Sequence, residues 1–316
     1  MSVKQKKLTA NHIDAIRKQV KYFEDRKNRA KEREEYNKKE FLSFALVGFR
    51  IKNESFIFSN DKILIQIVNE PPGIVELASA LKDKSLLDTV SRYANFTKYE
   101  MLIHNDSNLQ SALNLAYNII AGIRIKSCSD FLVPVAFDCS VSTISAHSDS
   151  SICAYIIEDY PRARSYEKHK IIKVQDLKWV DKYILNIFKA MEHQNIRLAI
   201  EEYCSNNQQA SIRMSIASLW SGIESILRIP NELSFRIALY ASVILYERGV
   251  KRKEAFSTMK KMYNFRSKVI HGIQLRNDEL IEHCILTKSI LAKLLVLVIE
   301  KGGPFTQEEI EDMLLT

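Results

Sequence analysis

Glycine and proline are both scarce in this chain. Its 316 residues include only 8 glycines and 6 prolines, which leaves little room for long flexible linkers. Neither a GxGxxG fingerprint nor a Walker-type phosphate loop is present, and both motifs need glycine where the backbone approaches a phosphate. The sequence therefore lacks the common nucleotide-binding loops, while its hydrophobic content of 46% is ordinary for a globular protein with a real core.

Cysteine occurs in a pattern that fits neither disulfides nor a zinc site. The five cysteines are an odd number without paired spacing, and no CxxC motif or cysteine–histidine cluster is present. Reduced thiols in a cytoplasm are the simplest explanation. We therefore expect no metal site and no bound cofactor.

The chain also lacks a long apolar run. Its N-terminal segment contains basic residues but no apolar stretch typical of a secretory signal. The longest apolar segment, Ile285 to Ile299, is interrupted by Lys288 and Lys293 and is too short to cross a bilayer. The sequence thus predicts a soluble cytoplasmic protein without a membrane partner.

Positive charge is in excess and is unevenly distributed. The formal net charge is +8, and residues 1–40 hold 13 Lys and Arg against 7 Asp and Glu, a difference of +6. Such a segment can attract polyanions through counterion release. A solvated helix with mixed charges is the favoured alternative for this segment. The charge permits a nucleic-acid partner but does not demand one.

The first half of the chain changes character at Phe41. Residues 10–40 are predicted to form one long basic helix, because apolar residues recur there at three- and four-residue steps. Short runs rich in Phe, Ile and Val follow and predict strands, at 41–51, 55–58, 62–68, 99–104, 131–137 and 152–158. Helices are predicted at 73–82, 85–93 and 108–125. Residues 41–175 therefore form a mixed α/β domain in this interpretation.

Polar residues in this region offer no clear site. We interpret His104, Asp106, His147 and Asp149 as solvated residues at strand ends and loops. A serine-rich loop is predicted over residues 140–151.

The second half is predicted to be helical throughout. Candidate helices span 176–204, 209–228, 234–247, 251–271, 277–301 and 306–315. Short connections between them imply an antiparallel bundle over residues 176–316. The predicted fold class is α+β, with an N-terminal helix, a mixed α/β domain and an all-α bundle.

The stretch YNFRSKVIHG, from Tyr263 to Gly272, combines a permanent cation with a titratable base. Arg266 and His271 lie five residues apart at the end of a helical pattern. Arginine can grip a phosphate in two places, and histidine can transfer a proton near neutral pH. Together they are sufficient for cutting RNA without a metal. The alternative is an ordinary helix end, with Arg266 solvated and Gly272 as a left-handed cap.

A helical bundle that carries Arg-x4-His-Gly resembles the HEPN superfamily, and more closely its Apea-like branch. The resemblance covers about residues 180–300 and includes the helix segment 217–224, in which Glu224 is the single acidic residue. It implies a metal-independent ribonuclease of the kind found in prokaryotic toxin–antitoxin, phage-defence and CRISPR-associated systems. It also implies a homodimer in which two copies of the motif face each other.

The resemblance assigns roles to single residues. Arg266 and His271 would be the catalytic pair, with His271 as general base or acid and Arg266 as the phosphate clamp. The products would be a 2′,3′-cyclic phosphate and a 5′-hydroxyl. Ser267 stands where many active members have Asn, Asp or His, and it could donate one more hydrogen bond. Asn264 could line the cleft, and Glu224 could orient Arg266 or His271.

Two alternatives accompany these roles. In the first, Glu224 is a carboxylate at the edge of the bundle, satisfied by water or a lysine. A non-catalytic HEPN dimer that serves as a binding or regulatory scaffold is the alternative function, and nucleotide binding or the hosting of a modifying enzyme is a weaker third. In the leading interpretation the protein is a defence-type endoribonuclease, and residues 1–175 sense a phage trigger or hold the nuclease in check, with an antitoxin as a candidate partner.

Overall fold

The computed structural model describes residues 10–36, 41–59, 61–104, 108–147, 150–158, 170–229 and 233–315. These residues adopt an α+β arrangement, as the sequence predicts. The strands are β1 (Phe41–Val47), β2 (Ser55–Ile57), β3 (Ile63–Ile67), β4 (Thr97–His104), β5 (Val135–Phe137) and β6 (Ala154–Ile156). The helices are α1 (Ala10–Tyr36), α2 (Ile74–Ala80), α3 (Leu87–Ala94), α4 (Leu109–Ser127), α5 (Val174–Glu192), α6 (Gln194–Ser205), α7 (Ile212–Leu227), α8 (Leu233–Leu245), α9 (Val250–Ile270), α10 (Asn277–Lys301) and α11 (Gln307–Leu315).

The strands form one sheet in the order β2-β3-β4-β1-β5-β6. β4 lies between β1 and β3 and pairs antiparallel with both. Met101 on β4 lies opposite Phe44 on β1 and opposite Ile65 on β3. All three side chains are almost completely buried. Each predicted strand is present, because short β-branched and aromatic runs fit a pleated surface that is covered by other elements.

Part of the serine-rich segment is not the loop that the sequence predicts. Val141–Ala146 instead forms a buried 3-10 helix. A fully buried carboxylate, Glu100 on β4, accepts hydrogen bonds from the Ser43 hydroxyl (2.6 Å), the Ser140 hydroxyl (2.7 Å) and the Val141 amide (2.7 Å). A buried carboxylate is costly unless it is paired, so these donors fix the segment against the sheet.

One predicted helix is two helices in the structure. The sequence predicts a continuous helix over residues 176–204, and this is wrong because α5 ends and α6 begins around His193, whose backbone is extended (φ −84°, ψ 110°). Neither glycine nor proline marks this break. α6 and α7 are antiparallel, since Asn195 bonds Ser225 at one end and Ser215 bonds Asn206 at the other.

The chain divides into two compact units that are not contiguous in sequence. Residues 1–47, 62–108 and 133–159 form what we call the sheet unit, and residues 48–61, 109–132 and 160–316 form the helical unit. This division differs from boundaries at residues 40 and 175. The physical reason is that α4 packs on α5. Gly122 on α4 lets the two helices approach closely, because a Cβ added there would lie 2.7 Å from Cδ1 of Ile187 on α5.

The N-terminal helix belongs to the sheet unit. α1 packs on the 3-10 helix Val141–Ala146, where Ala30 is fully buried. Arg26 forms a largely buried ion pair with Glu76, with 3.1 Å between Nε and Oε1, and its Nη2 donates to the Pro71 carbonyl. Residues 37–40 of the predicted helix lie outside the described residues.

Candidate functional site

The C-terminal end of α9 carries the motif that the sequence singles out. The helix stays regular to Ile270, and the His271 amide still donates to the Ser267 carbonyl at 3.0 Å. Gly272 adopts a left-handed conformation (φ +72°), and its amide donates to Val269 while the Ile273 amide donates to Lys268. These two bonds define a Schellman cap. The helix therefore ends at His271 without unwinding before it.

An arginine from another helix fixes this end. Arg213, in the first turn of α7, donates from Nη1 to the Val269 carbonyl (3.0 Å) and from Nη2 to the Ile273 carbonyl (2.8 Å). The last carbonyls of a helix have no intrahelical partner and carry partial negative charge. Arg213 donates to two carbonyls that flank His271: that of Val269, which also accepts from the Gly272 amide, and that of Ile273, which lies just beyond the helix. Sequence analysis missed this residue, because nothing near Arg213 in the sequence indicates which helix end it reaches.

Arg266 is held by Glu224. The distance from Arg266 Nη2 to Glu224 Oε1 is 3.1 Å, and both side chains are about three-quarters buried. Burial raises the pKa of Glu224, and the nearby guanidinium partly offsets this effect. The geometry is that of an ion pair without an aligned hydrogen bond, since neither Arg266 Nε nor Glu224 Oε1 has a hydrogen-bond partner among the described residues. Glu224 therefore contacts Arg266, and its role in orienting a catalytic residue stays a prediction.

Aromatic side chains support this ion pair. The Arg266 guanidinium lies 5.4 Å from the Tyr263 ring centroid, and Tyr263 packs edge-on against Trp220 with 5.4 Å between centroids. Burial and the Glu224 carboxylate raise the pKa of Tyr263. Trp220 and Glu224 are one turn apart on α7, and Tyr263 and Arg266 are nearly one turn apart on α9. The aromatic contact therefore sets the spacing at which the ion pair forms.

A buried histidine completes the packing. Trp220 Nε1 donates to His283 Nε2 at 3.1 Å, and the Phe265 ring stacks on His283 with 4.5 Å between centroids. Burial lowers the pKa of His283 to about 4, so the ring is neutral at pH 7 and can accept this bond. His283 directly follows Glu282 on α10, and its neighbours on α7 and α9 are not adjacent to it in sequence. Sequence analysis therefore missed it.

The two proposed catalytic residues lie on different sides of α9. Residues five apart on an ideal helix point about 140° from each other. The Arg266 side chain is about three-quarters buried and faces α7, whereas His271 is exposed at the helix end. The regular helix keeps this separation, so one chain does not direct both side chains toward one phosphate.

The remaining sequence-predicted residues are distributed as follows. Asn264 is exposed and Ser267 is half-buried on α9. In the sheet unit His104 packs edge-on against Phe41, and His147 Nδ1 lies 3.3 Å from the Ser151 hydroxyl. Asp106 and Asp149 lie outside the described residues. Within the described part of the chain, no three His, Cys, Asp or Glu side chains are grouped so that they could hold a metal ion.

Comparison with known proteins gives no match, since no protein-family model, no curated protein and no solved structure matches the chain. Among the described helices, none combines the length and apolarity that crossing a bilayer requires. The interpretation of the site therefore rests on its own geometry.

Proposed function

We propose that the protein is a metal-independent endoribonuclease of the HEPN type that acts as a homodimer. The observation that carries this proposal is the end of α9, where Glu224 holds Arg266 in place and His271 is exposed at a capped helix terminus. A preorganised guanidinium can stabilise the charge that builds on a phosphate in the transition state. An exposed imidazole is accessible to a substrate and can accept or donate a proton.

The reaction proceeds in one displacement at phosphorus. His271 accepts the proton of a ribose 2′-OH while the 2′-oxygen forms a bond to phosphorus. The bond from phosphorus to the 5′-oxygen breaks, and this oxygen takes up a proton from water. The products are a 2′,3′-cyclic phosphate and a 5′-hydroxyl. Arg266 binds the non-bridging phosphate oxygens, Asn264 lies beside the path of the substrate, and Ser267 is one helical turn before His271.

A second copy of the chain supplies the missing half of each site. Because Arg266 and His271 point to different sides of one α9, a two-fold axis near the helix end would bring Arg266 of one copy toward His271 of the other. Apolar side chains at this end support an interface: Ile270, Ile273 and Met214 are each about half exposed. Exposed apolar groups that cluster on a surface are typical of protein contacts.

The test is RNA cleavage by the purified full-length protein in excess EDTA. We expect cleavage to persist, and Arg266→Ala and His271→Ala each to lower it by about 100-fold or more. Mixing the two inactive variants should restore about a quarter of the activity, because half of the dimers would then contain one complete site out of two. Intact RNA with the wild-type protein, or an unchanged rate in both variants, would refute the proposal.

A non-catalytic dimeric scaffold is the second candidate, and one observation favours it. The Arg266 guanidinium already has a carboxylate partner in Glu224, so the pair could serve packing alone. A scaffold predicts that RNA stays intact with wild-type protein and that Arg266→Ala affects only stability. A prokaryotic defence or toxin setting, and a sensing or regulatory role for the sheet unit, remain predictions from the sequence resemblance.

A further inference from the structure

One side of α9 carries a row of exposed polar and basic side chains. Apart from one adjacent pair they recur every three or four residues, and they therefore lie on one face of the helix. We call this row the α9 stripe, and it consists of Lys253, Ser257, Lys260, Lys261, Asn264, Lys268 and His271. Arg266 does not belong to it, because it lies on the half-buried flank toward Glu224.

The charge of the α9 stripe is not balanced. Its four lysines make no ion pair or hydrogen bond within the described part of the chain. The one acidic residue of α9, Glu254, is exposed at the margin of the row, about 20° from Lys261 around the helix, so four positive charges face one negative charge. Like charges on one helix face repel one another. Some basic residues elsewhere in the helical unit do have partners, as Lys288 has with Asp130 and Lys301 with Glu309. An unpaired row of this kind is complementary to a polyanion.

The α9 stripe is long enough for a short strand and ends at the proposed base. From Lys253 to His271 the helix advances 18 residues, about 27 Å at 1.5 Å per residue. Compact single-strand sites accommodate as few as about four nucleotides. A sugar–phosphate backbone laid along the lysines would therefore reach His271 at one end. We infer that the α9 stripe is the binding track for single-stranded RNA and that the scissile phosphate of the RNA lies at His271. The role of His271 in this inference rests on the proposed function.

Two features favour a single strand over a duplex. The stripe is one or two side chains wide and lies on a convex helix, whereas duplex RNA is recognised across successive grooves that involve both strands. Attack of a 2′-OH also requires the attacking and leaving oxygens to be in line with phosphorus, and an unpaired strand can adopt that geometry. The contacts are with phosphates, so binding is sensitive to salt and tolerant of base sequence.

Binding is measured separately from cleavage with an oligouridine of about 12 nucleotides whose 2′-oxygens are methylated. This probe has no free 2′-OH and cannot be cut by the proposed reaction. The stripe variant is full-length protein with Lys260→Gln, Lys261→Gln and Lys268→Gln. The charge-matched control carries Lys178→Gln, Lys182→Gln and Lys251→Gln, three exposed lysines outside the stripe. Circular dichroism checks that both variants are folded.

We expect the stripe variant to bind roughly 100-fold more weakly at 0.1 M salt, because three phosphate contacts each contribute about 0.7 to the slope of log K against log salt. The slope itself should fall by about 2. The control should stay within about threefold of wild type. The wild-type protein should bind the same strand less tightly once it is annealed to its complement.

Four outcomes overturn the inference: no binding by the wild type, equal losses in both variants, an unchanged salt slope in the stripe variant, or tighter binding of the duplex. Failure of the proposed function is recognised separately. If the wild type leaves unmodified RNA intact, and only the stripe variant binds the methylated strand more weakly, the binding track is supported and the nuclease function is refuted. If the wild type cuts RNA but the stripe variant binds the methylated strand as tightly as the wild type does, the nuclease function is supported and the binding track is wrong.

Discussion

At the scale of single residues, the contact between Arg266 and Glu224 has a consequence for stability. Burial raises the pKa of Glu224, and Arg266 opposes this shift. Without Arg266 the pKa of Glu224 should rise further. A carboxyl group with a higher pKa in the folded than in the unfolded state favours folding when it is protonated. Its contribution is complete below the unfolded pKa and is lost as pH rises through the folded pKa.

We therefore expect Arg266→Met to lower the free energy of unfolding by on the order of 1–2 kcal/mol at pH 7 and by less at pH 5. Urea denaturation at the two pH values measures both differences. Arg197→Met is the control, since Arg197 and Glu201 are about half exposed and 4.0 Å apart. It should cost less than about 0.5 kcal/mol at either pH. A loss in Arg266→Met that does not depend on pH would contradict this account.

His283 predicts a different pH dependence. Its pKa is lowered from 6.5 to about 4 by burial, so the folded protein binds this proton less readily than the unfolded chain. Stability from this residue is complete above pH 6.5 and is lost as pH falls toward 4. The loss at pH 4 should be on the order of 3 kcal/mol.

His283→Gln should remove most of this acid sensitivity, because an amide oxygen can still accept from Trp220 Nε1 but does not titrate in this range. Unfolding free energies of the two proteins from pH 7 to pH 4 provide the measurement. The value at pH 7 establishes that the variant is folded. Parallel pH profiles for the two proteins would show that His283 is not the responsible group.

At the scale of elements, the end of α9 depends on another helix. Arg213→Met removes both donors to the Val269 and Ile273 carbonyls. We expect a loss of on the order of 1–2 kcal/mol and faster hydrogen exchange in residues 269–273. Arg213→Lys should recover only part of this stability, because an ammonium group cannot reproduce the planar fork. Unchanged exchange at these amides in Arg213→Met would mean that the glycine cap alone holds the helix end.

The helices also show what local sequence can and cannot specify. The bounds of α7 to α11 lie within a few residues of their predictions, because apolar periodicity and glycine caps are local signals. The break at His193 and the burial of Val141–Ala146 have no local signal. They follow from helix packing and from the Glu100 carboxylate. The excess of positive charge in residues 1–40 is evident from the sequence, whereas the α9 stripe is evident only once the exposed and buried faces of the helix are known.

At the scale of the whole molecule, α4 is part of the helical unit although it lies between strands in sequence. The test is a double-mutant cycle between α4 and α5. Gly122→Val should cost about 1–3 kcal/mol through overpacking against Ile187, and Ile187→Ala should cost about 2–5 kcal/mol through the cavity that it leaves. Together they should cost at least about 1 kcal/mol less than the sum, as measured by urea denaturation. Strict additivity would mean that the helices do not pack at Gly122.

The sequence by itself determined the α+β class, nearly every strand and helix, and the motif at the end of α9. Each of these depends on residues close together in the chain, where periodicity, capping and side-chain chemistry act directly. Only the tertiary structure decided which residues surround the motif: Glu224 on Arg266, Arg213 on the last carbonyls, and His283 under Phe265. It also decided that α4 joins the helical unit. The physical reason is that burial and partner choice are set by packing between distant segments, which local sequence does not specify.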